Sequence, residues 1–525
     1  MDLSGGGLPT ARRRANNHRV TEPQRLDPNS EGEKRPARFN EAAWTGGLLA
    51  LFLLVNLLTA ARSPTVWDDE VLIADPAARF LSGHGFTSTA WNVQTSHELW
   101  AGNAPLDLWL LVPWIKLWGL GPTAVRSINY LYAAAATLLL AVAARRSGWV
   151  ADARWRVGLI GMVLCEYCVV FSYRGGRYDM ICLLLAAALA AAATLPGGWR
   201  RGVVLVGLGF CLPFVGLSLA PLMLVLSLIL IRFGGIGSLR VILPAGLGSV
   251  AGGFCLWLLW QGLGVWDQFK LSVLVLSKAE NDGGLHRLAA ACVVTVQALF
   301  LRDPSLVFLL GAVVAGIAAQ EKGWRGTTAG RGVIGCLWLV PTVPFFLRLA
   351  GQFPLYYGWM IAVPAAVAVA ALLARTPPRV GAKGAVAIRA RFIAMILVAL
   401  AIGSGLPARL AVTGWEWRAR DYAPVEAFVR DHLTPQDRVA ADHPAFYALQ
   451  HRGIEAYYQY YLYRLTPAEK ESLTALLITP SVLPYFQKAL GGEWEKVAEM
   501  GKEDSPLRHR ARLYDLALYR RVPTP

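Results

Sequence analysis

The tetrapeptide Trp67-Asp68-Asp69-Glu70 sets three carboxylates in succession, soon after a long apolar segment running from Trp44 to Ala61. One ionised acid at the centre of a bilayer costs about 2.5–3.5 kcal/mol on insertion scales, so these three must lie at the membrane surface or in a wet cavity opening onto it. Further along, Arg174-Gly175-Gly176-Arg177-Tyr178-Asp179 again interrupts apolar sequence. The first cluster offers a base that can take a proton, and the second a cation that can neutralise an anion. Placed together at the membrane surface, they describe a cleft fed from the lipid.

Consecutive helical residues point about 100° apart, so Asp68, Asp69 and Glu70 cannot all face one ligand. One or two address the site, and another steadies the helix start. The plain structural reading makes all three favourable partners of a helix N-terminus. Asp75-Pro76 fits a similar role, as an N-cap followed by proline at the first helical position.

The elements that position these residues follow from composition. Hydrophobic residues make up 55% of the 525, charged residues only 16%, and mean hydropathy is +0.41. Apolar runs recur from Trp44 to Pro407, many about 17–20 residues long, the length that spans a bilayer core. The chain is therefore a polytopic α-helical membrane protein. The net charge of +16 sits largely in short loops and the N-terminal arm, which the positive-inside rule explains without nucleic acid.

That rule sets the expected topology. Basic residues gather in the N-terminal arm, at Arg145 and Arg146, Arg154 and Arg156, Arg200 and Arg201, Arg232 and Arg240, from Lys322 to Arg331, and from Arg375 to Arg391. With these loops inside, about eleven spans start near residues 44, 124, 157, 179, 201, 216, 239, 305, 333, 357 and 391. Pro213 and Pro221 break the cramped pair between Arg201 and Arg232. Pro105 to Leu120 and His286 to Leu301 would spoil the alternation as spans and are read as interfacial or re-entrant helices.

Three regions result: a disordered basic cytoplasmic arm (1–40), a transmembrane domain (41–408) with a large first outer loop (62–123), and a small extracytoplasmic α/β domain (409–525). In the last, Arg438 to Ala441, Ala475 to Thr479 and Leu516 to Arg520 read as strands, and Asp421 to His432 and Pro467 to Leu473 as helices. The first outer loop and this domain share the non-cytoplasmic side, which places the protein in the inner (plasma) membrane. None of the seven cysteines falls in either outer region, so no disulfide framework holds them. Cys165 and Cys168 form a lone CxxC inside a span, where small buried hydrophobes are the plain reading. Glu166 between them is an intramembrane acid for which a buried hydrogen bond suffices.

The stretch Asp69-Glu70-Val71-Leu72-Ile73-Ala74-Asp75-Pro76-Ala77-Ala78-Arg79-Phe80-Leu81-Ser82-Gly83 resembles the Asp-Glu loop of C-type glycosyltransferases. The branch it resembles holds the protein O-mannosyltransferase-like and lipid A aminoarabinose transferase-like enzymes. The resemblance continues through Ala104-Pro105-Leu106, Trp114 to Gly119, Arg126 to Arg146, the Arg-x-Asp element Arg177-Tyr178-Asp179, and Pro354-Leu355-Tyr356-Tyr357 with Pro364. It spans roughly residues 44 to 408.

The resemblance implies an enzyme that takes a sugar from a polyprenyl-phosphate carrier, with membrane lipids as its surroundings and a protein, lipid or polysaccharide acceptor. It implies Asp69 as catalytic base, with Asp68 and Glu70 as neighbouring alternatives. Where the aminoarabinose branch carries Glu-Lys-Pro, this chain reads Asn103-Ala104-Pro105. That departure removes a phosphate-binding lysine and a metal-binding glutamate, so a divalent metal stays open and no ligand for it is assigned.

The chemistry stands beside the resemblance. Attack on the anomeric carbon of a phosphate-linked sugar needs an ionised acid to deprotonate the acceptor hydroxyl. It also needs a cation for the departing phosphate, a task suited to arginine's planar fork. Arg177 is the leading candidate, with Asp179 orienting it; the plain alternative is an interfacial arginine snorkelling to headgroups. Arg287 is a further phosphate candidate at the start of the second interfacial helix. Tyr356 and Tyr357 join the donor side, although an aromatic belt also accounts for them. His84 and His97 read as solvated loop residues. Gly381-Ala382-Lys383-Gly384 lacks the spacing of a phosphate-binding loop. The rival readings are a secondary transporter or lipid flippase, whose ionisable residues belong near the midplane of repeated halves, and a non-catalytic assembly protein.

Overall fold

The computed structural model describes residues 39–102, 104–217, 219–278, 293, 297, 300–349, 355–375, 382–500 and 514–522. Helix α1 (Glu41–Thr59) is followed by α2 (Asp68–Leu81) and α3 (Pro105–Trp118) in the first long loop. The helical body continues with α4 (Pro122–Arg146), α5 (Ala153–Cys165), α6 (Tyr167–Arg174), α7 (Asp179–Ala193), α8 (Trp199–Val215), α9 (Leu219–Gly234), α10 (Leu239–Gly262) and α11 (Trp266–Lys278). It resumes with α12 (Pro304–Ala318), α13 (Thr328–Leu349), α14 (Trp359–Leu373), α15 (Ala382–Ser404) and α16 (Leu406–Trp415).

A helix occupies each of the expected span positions. Among the described residues, six are long and apolar enough to cross a membrane, or seven if α5 and α6, which meet at 59°, form one broken span. Lipid replaces water around such a bundle, so its rim is apolar outward. Helix α1 exposes Trp44, Leu51, Leu54, Leu57 and Leu58, whereas α14 is buried along most of its length. Small residues let helices α8 and α10 touch: a Cβ on Gly248 would lie 2.0 Å from the Val206 carbonyl oxygen, and one on Gly252 2.1 Å from that of Phe210.

The expected break between Arg201 and Arg232 appears, with α8 ending two residues after Pro213 and α9 starting at Leu219. Helix α3, at 14 residues, is too short to cross and packs on α2 and α4, as an interfacial helix should. Helix α11 starts at Trp266, where Trp266 and Phe269 pack with Trp260 and Val265. The N-terminal arm to residue 38, most of the second interfacial stretch and Arg287 fall outside the described residues.

Asp75-Pro76 does not open a helix. Both residues lie inside α2 and are buried. Proline lacks the N–H that would bond the carbonyl four residues back, and the Trp91 indole N–H fills that vacancy by donating to the Leu72 carbonyl at 2.8 Å. Asp75 meanwhile accepts from Ser88 Oγ at 2.7 Å and Thr89 N–H at 2.8 Å, fastening the following loop.

Beyond α16 comes α17 (Ala423–His432), then β1 (Arg438–Ala441), α18 (Phe446–His451), β2 (Glu455–Tyr458), α19 (Pro467–Ser472), β3 (Ala475–Ile478), α20 (Leu483–Leu490), β4 (Trp494–Glu499) and β5 (Ala517–Arg521). The sheet order is β2-β1-β3-β5-β4, parallel on the β2-β1-β3 side and antiparallel from β3 through β5 to β4. β1, β3 and β5 match the strands expected from sequence. β2 and β4 escaped notice, β4 because it is an edge strand whose residues after Trp494 are mostly exposed and charged.

The sheet unit sits on the first long loop. Tyr458 N–H donates to the Thr89 carbonyl at 3.0 Å, Val66 N–H to Tyr514 Oη at 3.2 Å, and Arg62 pairs with Asp421 at 3.3 Å. The two therefore lie on the same side of the membrane. Deepest in this contact, Glu70 receives both arms of Arg126 from α4, at 2.5 and 3.0 Å, and the Tyr447 hydroxyl from α18 at 2.7 Å. Both side chains of the ion pair are fully buried.

Breaking a buried pair strands its remaining charge, at about 3–5 kcal/mol, whereas replacing both partners by apolar groups is often neutral. Arg126→Met should therefore lower the thermal midpoint sharply in detergent, and Arg126→Met with Glu70→Met should recover most of it. Equal loss in the single and double variants would contradict this account.

Candidate active site

The start of α2 is pinned before its acids are placed. Trp67, the extended N-cap residue, donates its indole N–H to the Gly175 carbonyl at 2.9 Å, which brings the two charged clusters together. The turn after Gly175 needs glycine. Gly176 has φ +66°, and a Cβ there would lie 3.1 Å from Glu70 Cγ and 3.2 Å from Val125 Cγ1.

From that start the three acids diverge as helical spacing requires. Glu70 turns inward to Arg126 and Tyr447. Asp68 accepts from the Tyr460 hydroxyl at 2.7 Å and from the Asp69 N–H at 3.0 Å. Asp69 meets Arg177 in an ion pair and keeps 24% of its side-chain surface exposed. Of the three, Glu70 is sealed away, and Asp68 and Asp69 stay partly exposed. Burial pushes the Asp69 carboxyl above its ordinary range; Arg177 works against this, and Asp68 and Asp179 add to it.

Arg177 is the hub. Its Nε donates to Asp179 Oδ2 at 2.8 Å while Nη1 holds Asp69. Its guanidinium lies 3.5 Å from the Tyr356 ring centre and 5.4 Å from that of Tyr178. Tyr357 and Tyr178 share a hydroxyl contact of 3.0 Å. The pair Tyr356-Tyr357 thus builds the wall of the site. Arg174 turns elsewhere, to Asn56 Oδ1 at 2.6 Å and Thr59 Oγ1 at 2.9 Å.

The structure adds residues that sequence reasoning passed over. Asp107, in the first turn of α3, is buried, and its Oδ1 lacks a hydrogen-bond partner among the described residues, as does Asp179 Oδ1. Burial, and then the nearby Asp179, push the Asp107 carboxyl up to about 7. An acid in an otherwise apolar interfacial helix was the available signal. Tyr447 and Tyr460 come from the sheet unit and carried none, because only docking brings them to α2. His84 and His97 are exposed, as expected of solvated loop residues.

The described residues contain one group of three metal-ligand types within 4.8 Å, Glu166, Cys168 and Asp303 at the α5–α6 break. Its oxygens serve as helix caps: Glu166 Oε2 accepts Val169 N–H at 2.8 Å, Asp303 Oδ1 accepts Leu306 N–H at 2.9 Å, and Ser305 bridges the two acids. Cys168 donates to Asp303 at 3.1 Å. Capping explains this group, and Cys165 stays outside it. Among the described residues no such set of three gathers at Asp69.

Gly176→Ala should cost roughly 1–2 kcal/mol for its left-handed backbone alone, with further loss from crowding Glu70. Denaturant or thermal unfolding would measure it, and an unchanged midpoint would show that the turn relaxes freely.

No protein-family profile and no curated protein matches the sequence. Among solved structures, ArnT from Cupriavidus metallidurans bound to undecaprenyl phosphate aligns over 92% of this chain and 99% of its own, at 15% identity and a TM-score of 0.57. Arabinofuranosyltransferase AftD from Mycobacteria aligns over 92% of this chain and 40% of its own, at 14% identity and a TM-score of 0.45. The oligosaccharyltransferase of Archaeoglobus fulgidus aligns over 84% and 70%, at 11% identity and a TM-score of 0.44. The likeness to ArnT, end to end in both chains, carries the assignment: this protein has the C-type glycosyltransferase fold.

Proposed function

We propose that the protein is a membrane glycosyltransferase that moves a sugar from a polyprenyl-phosphate donor to an envelope acceptor on the extracytoplasmic face. The observation that carries this reading is the Asp69–Arg177–Asp179 relay, set at the first outer loop of a C-type fold with Asp69 still reachable. The undecaprenyl phosphate bound to ArnT supports the choice of donor. The outer face follows from the alternation of basic loops. Sugar and acceptor remain those of the class: a hexose or pentose, passed to a protein, lipid or polysaccharide.

In this reading Asp69 takes the proton of the acceptor hydroxyl as its oxygen attacks the anomeric carbon. The bond from that carbon to the phosphate oxygen breaks, and the electron pair leaves with the lipid phosphate. Arg177 lies beside the developing charge, and Asp179 holds its Nε side so that the fork keeps its orientation. Tyr356 and Tyr357 wall the donor side. Asp68, held by Tyr460, is the neighbouring alternative base.

Asp69→Asn keeps size and removes the basic oxygen, so transfer should fall by about 10²-fold or more with membrane insertion unchanged. Activity within a few-fold of wild type would move the role to Asp68. A base works only when ionised, so activity is full above its pKa and lost below it. Because burial raises that pKa, the acid limb of kcat/KM should lie above the usual aspartate value of about 3.9. A limb at or below that value would argue against Asp69.

The donor is tested with purified protein in nanodiscs, offered either a polyprenyl-phosphate sugar or a nucleotide sugar with a candidate acceptor. Turnover is expected only with the first, and Arg177→Ala should weaken donor use more than acceptor use. Turnover with a nucleotide sugar in the absence of polyprenyl phosphate would overturn the proposal.

A further inference from the structure

The charge around Asp69 leaves a requirement unmet. A sugar-phosphate-lipid is a diester with one negative charge. When the glycosidic bond breaks, the electron pair stays on phosphate, and the product monoester carries up to two. Arg177 brings one positive charge but is already shared between two carboxylates, Asp69 and Asp179. The departing lipid phosphate needs a further cation.

The neighbouring buried arginines are committed. Arg126 is held by Glu70 and by the Ala60 and Pro64 carbonyls, and Arg174 by Asn56 and Thr59. Arg409, on α16, differs. It is half-buried, and no carboxylate among the described residues pairs with it. Its guanidinium lies against two rings, 5.4 Å from the centre of Phe171 and 5.7 Å from that of Tyr167.

Its depth follows from the chain. The 23 residues of α15 rise about 35 Å at 1.5 Å per residue, enough to cross the hydrocarbon core. Gly405 then wedges against the α5–α6 break, where a Cβ would sit 1.5 Å from the Cys165 carbonyl oxygen. One helical turn later stands Arg409, near the end of the apolar stretch Gly384–Trp415 and on the side of the sheet unit that α16 leads into. That is where a lipid phosphate lies.

An aromatic row joins this arginine to the catalytic cluster. Phe171, beneath Arg409, stacks in parallel with Tyr356 at 6.3 Å and an interplanar angle of 6°. Tyr356 carries Arg177 on its face, and Trp67, beside Asp68, meets Phe171 edge-on at 5.2 Å. Tyr167, Phe171, Tyr356 and Arg409 are all half-buried, so the row keeps an open side. Ring faces suit an isoprenoid chain, and a cation at either end suits its phosphate.

We propose that Arg409 is a second phosphate-binding residue for the polyprenyl carrier, receiving the monoester as it leaves Arg177 for the bilayer. This rests on the glycosyltransferase reading above. Protein in nanodiscs is titrated with undecaprenyl phosphate, with uncharged undecaprenol and with inorganic phosphate, using native mass spectrometry as the readout. Arg409→Gln should weaken undecaprenyl phosphate binding by about tenfold or more, as loss of a charge-assisted contact does. Arg409→Lys should keep part of it, and the exposed control Arg418→Gln should leave it unchanged. Inorganic phosphate should not compete at millimolar concentration; if it does, the site takes free phosphate and the proposal fails. On wild-type protein, a photoreactive polyprenyl phosphate should label residues 405–415, a test that stands even if the glutamine variant does not fold. Wild-type protein that binds no polyprenyl phosphate would overturn the parent reading. Binding indifferent to Arg409, or a loss of thermal stability alone, would overturn this inference and leave Arg409 a structural residue packed on Tyr167 and Phe171.

Discussion

The buried pair of Glu70 with Arg126, joined by the Tyr447 hydroxyl, is the constraint on which the rest of the site depends. Two charges removed from water tolerate only partners that satisfy them fully, so this contact admits one arrangement of α2, α4 and the sheet unit. It fixes the rotation of α2 about its axis. With Glu70 turned inward, helical spacing sends Asp69 toward Arg177 and Asp68 toward Tyr460. One acid is spent on structure, and its two neighbours stay partly exposed.

The same economy shapes the second cluster. Of its two arginines, Arg174 is consumed by α1, while Arg177 is stretched between two carboxylates over the face of Tyr356. Such a guanidinium is fixed in place before any ligand arrives. Charge that is already in place need not reorganise when a charged group arrives, and the chain of ion pairs from Asp69 through Arg177 to Asp179 holds it there. The cost is that little of Arg177's charge is left over, which directs attention along the aromatic row to Arg409.

The sheet unit is more than an outer ornament. Its Tyr447 closes the Glu70 pair, its Tyr460 holds Asp68, and the Tyr458 backbone N–H and the Tyr514 hydroxyl tie it to the loops on either side of α2. The first long loop and the C-terminal unit form one wall, and the acids lie in its seam.

The sequence by itself determined what depends on composition and local spacing. Apolar runs of bilayer length announced a polytopic membrane protein, and the divergence of Asp68, Asp69 and Glu70 followed from helical geometry. Short apolar runs likewise marked β1, β3 and β5. Tertiary structure alone decided which acid faced which partner. Glu70 and Asp69 look alike in the chain, and only the packing of α2 against α4 and α18 separates a sealed carboxylate from a partly exposed one. Asp75-Pro76 read locally as a helix start, yet it lies inside α2 because Trp91, 19 residues from Leu72, supplies the hydrogen bond that proline cannot. Tyr447, Tyr460 and Arg409 carried no local signal, since each acquires its role from residues hundreds of positions away. Periodicity is a short-range property of the chain, and an active site is a long-range one.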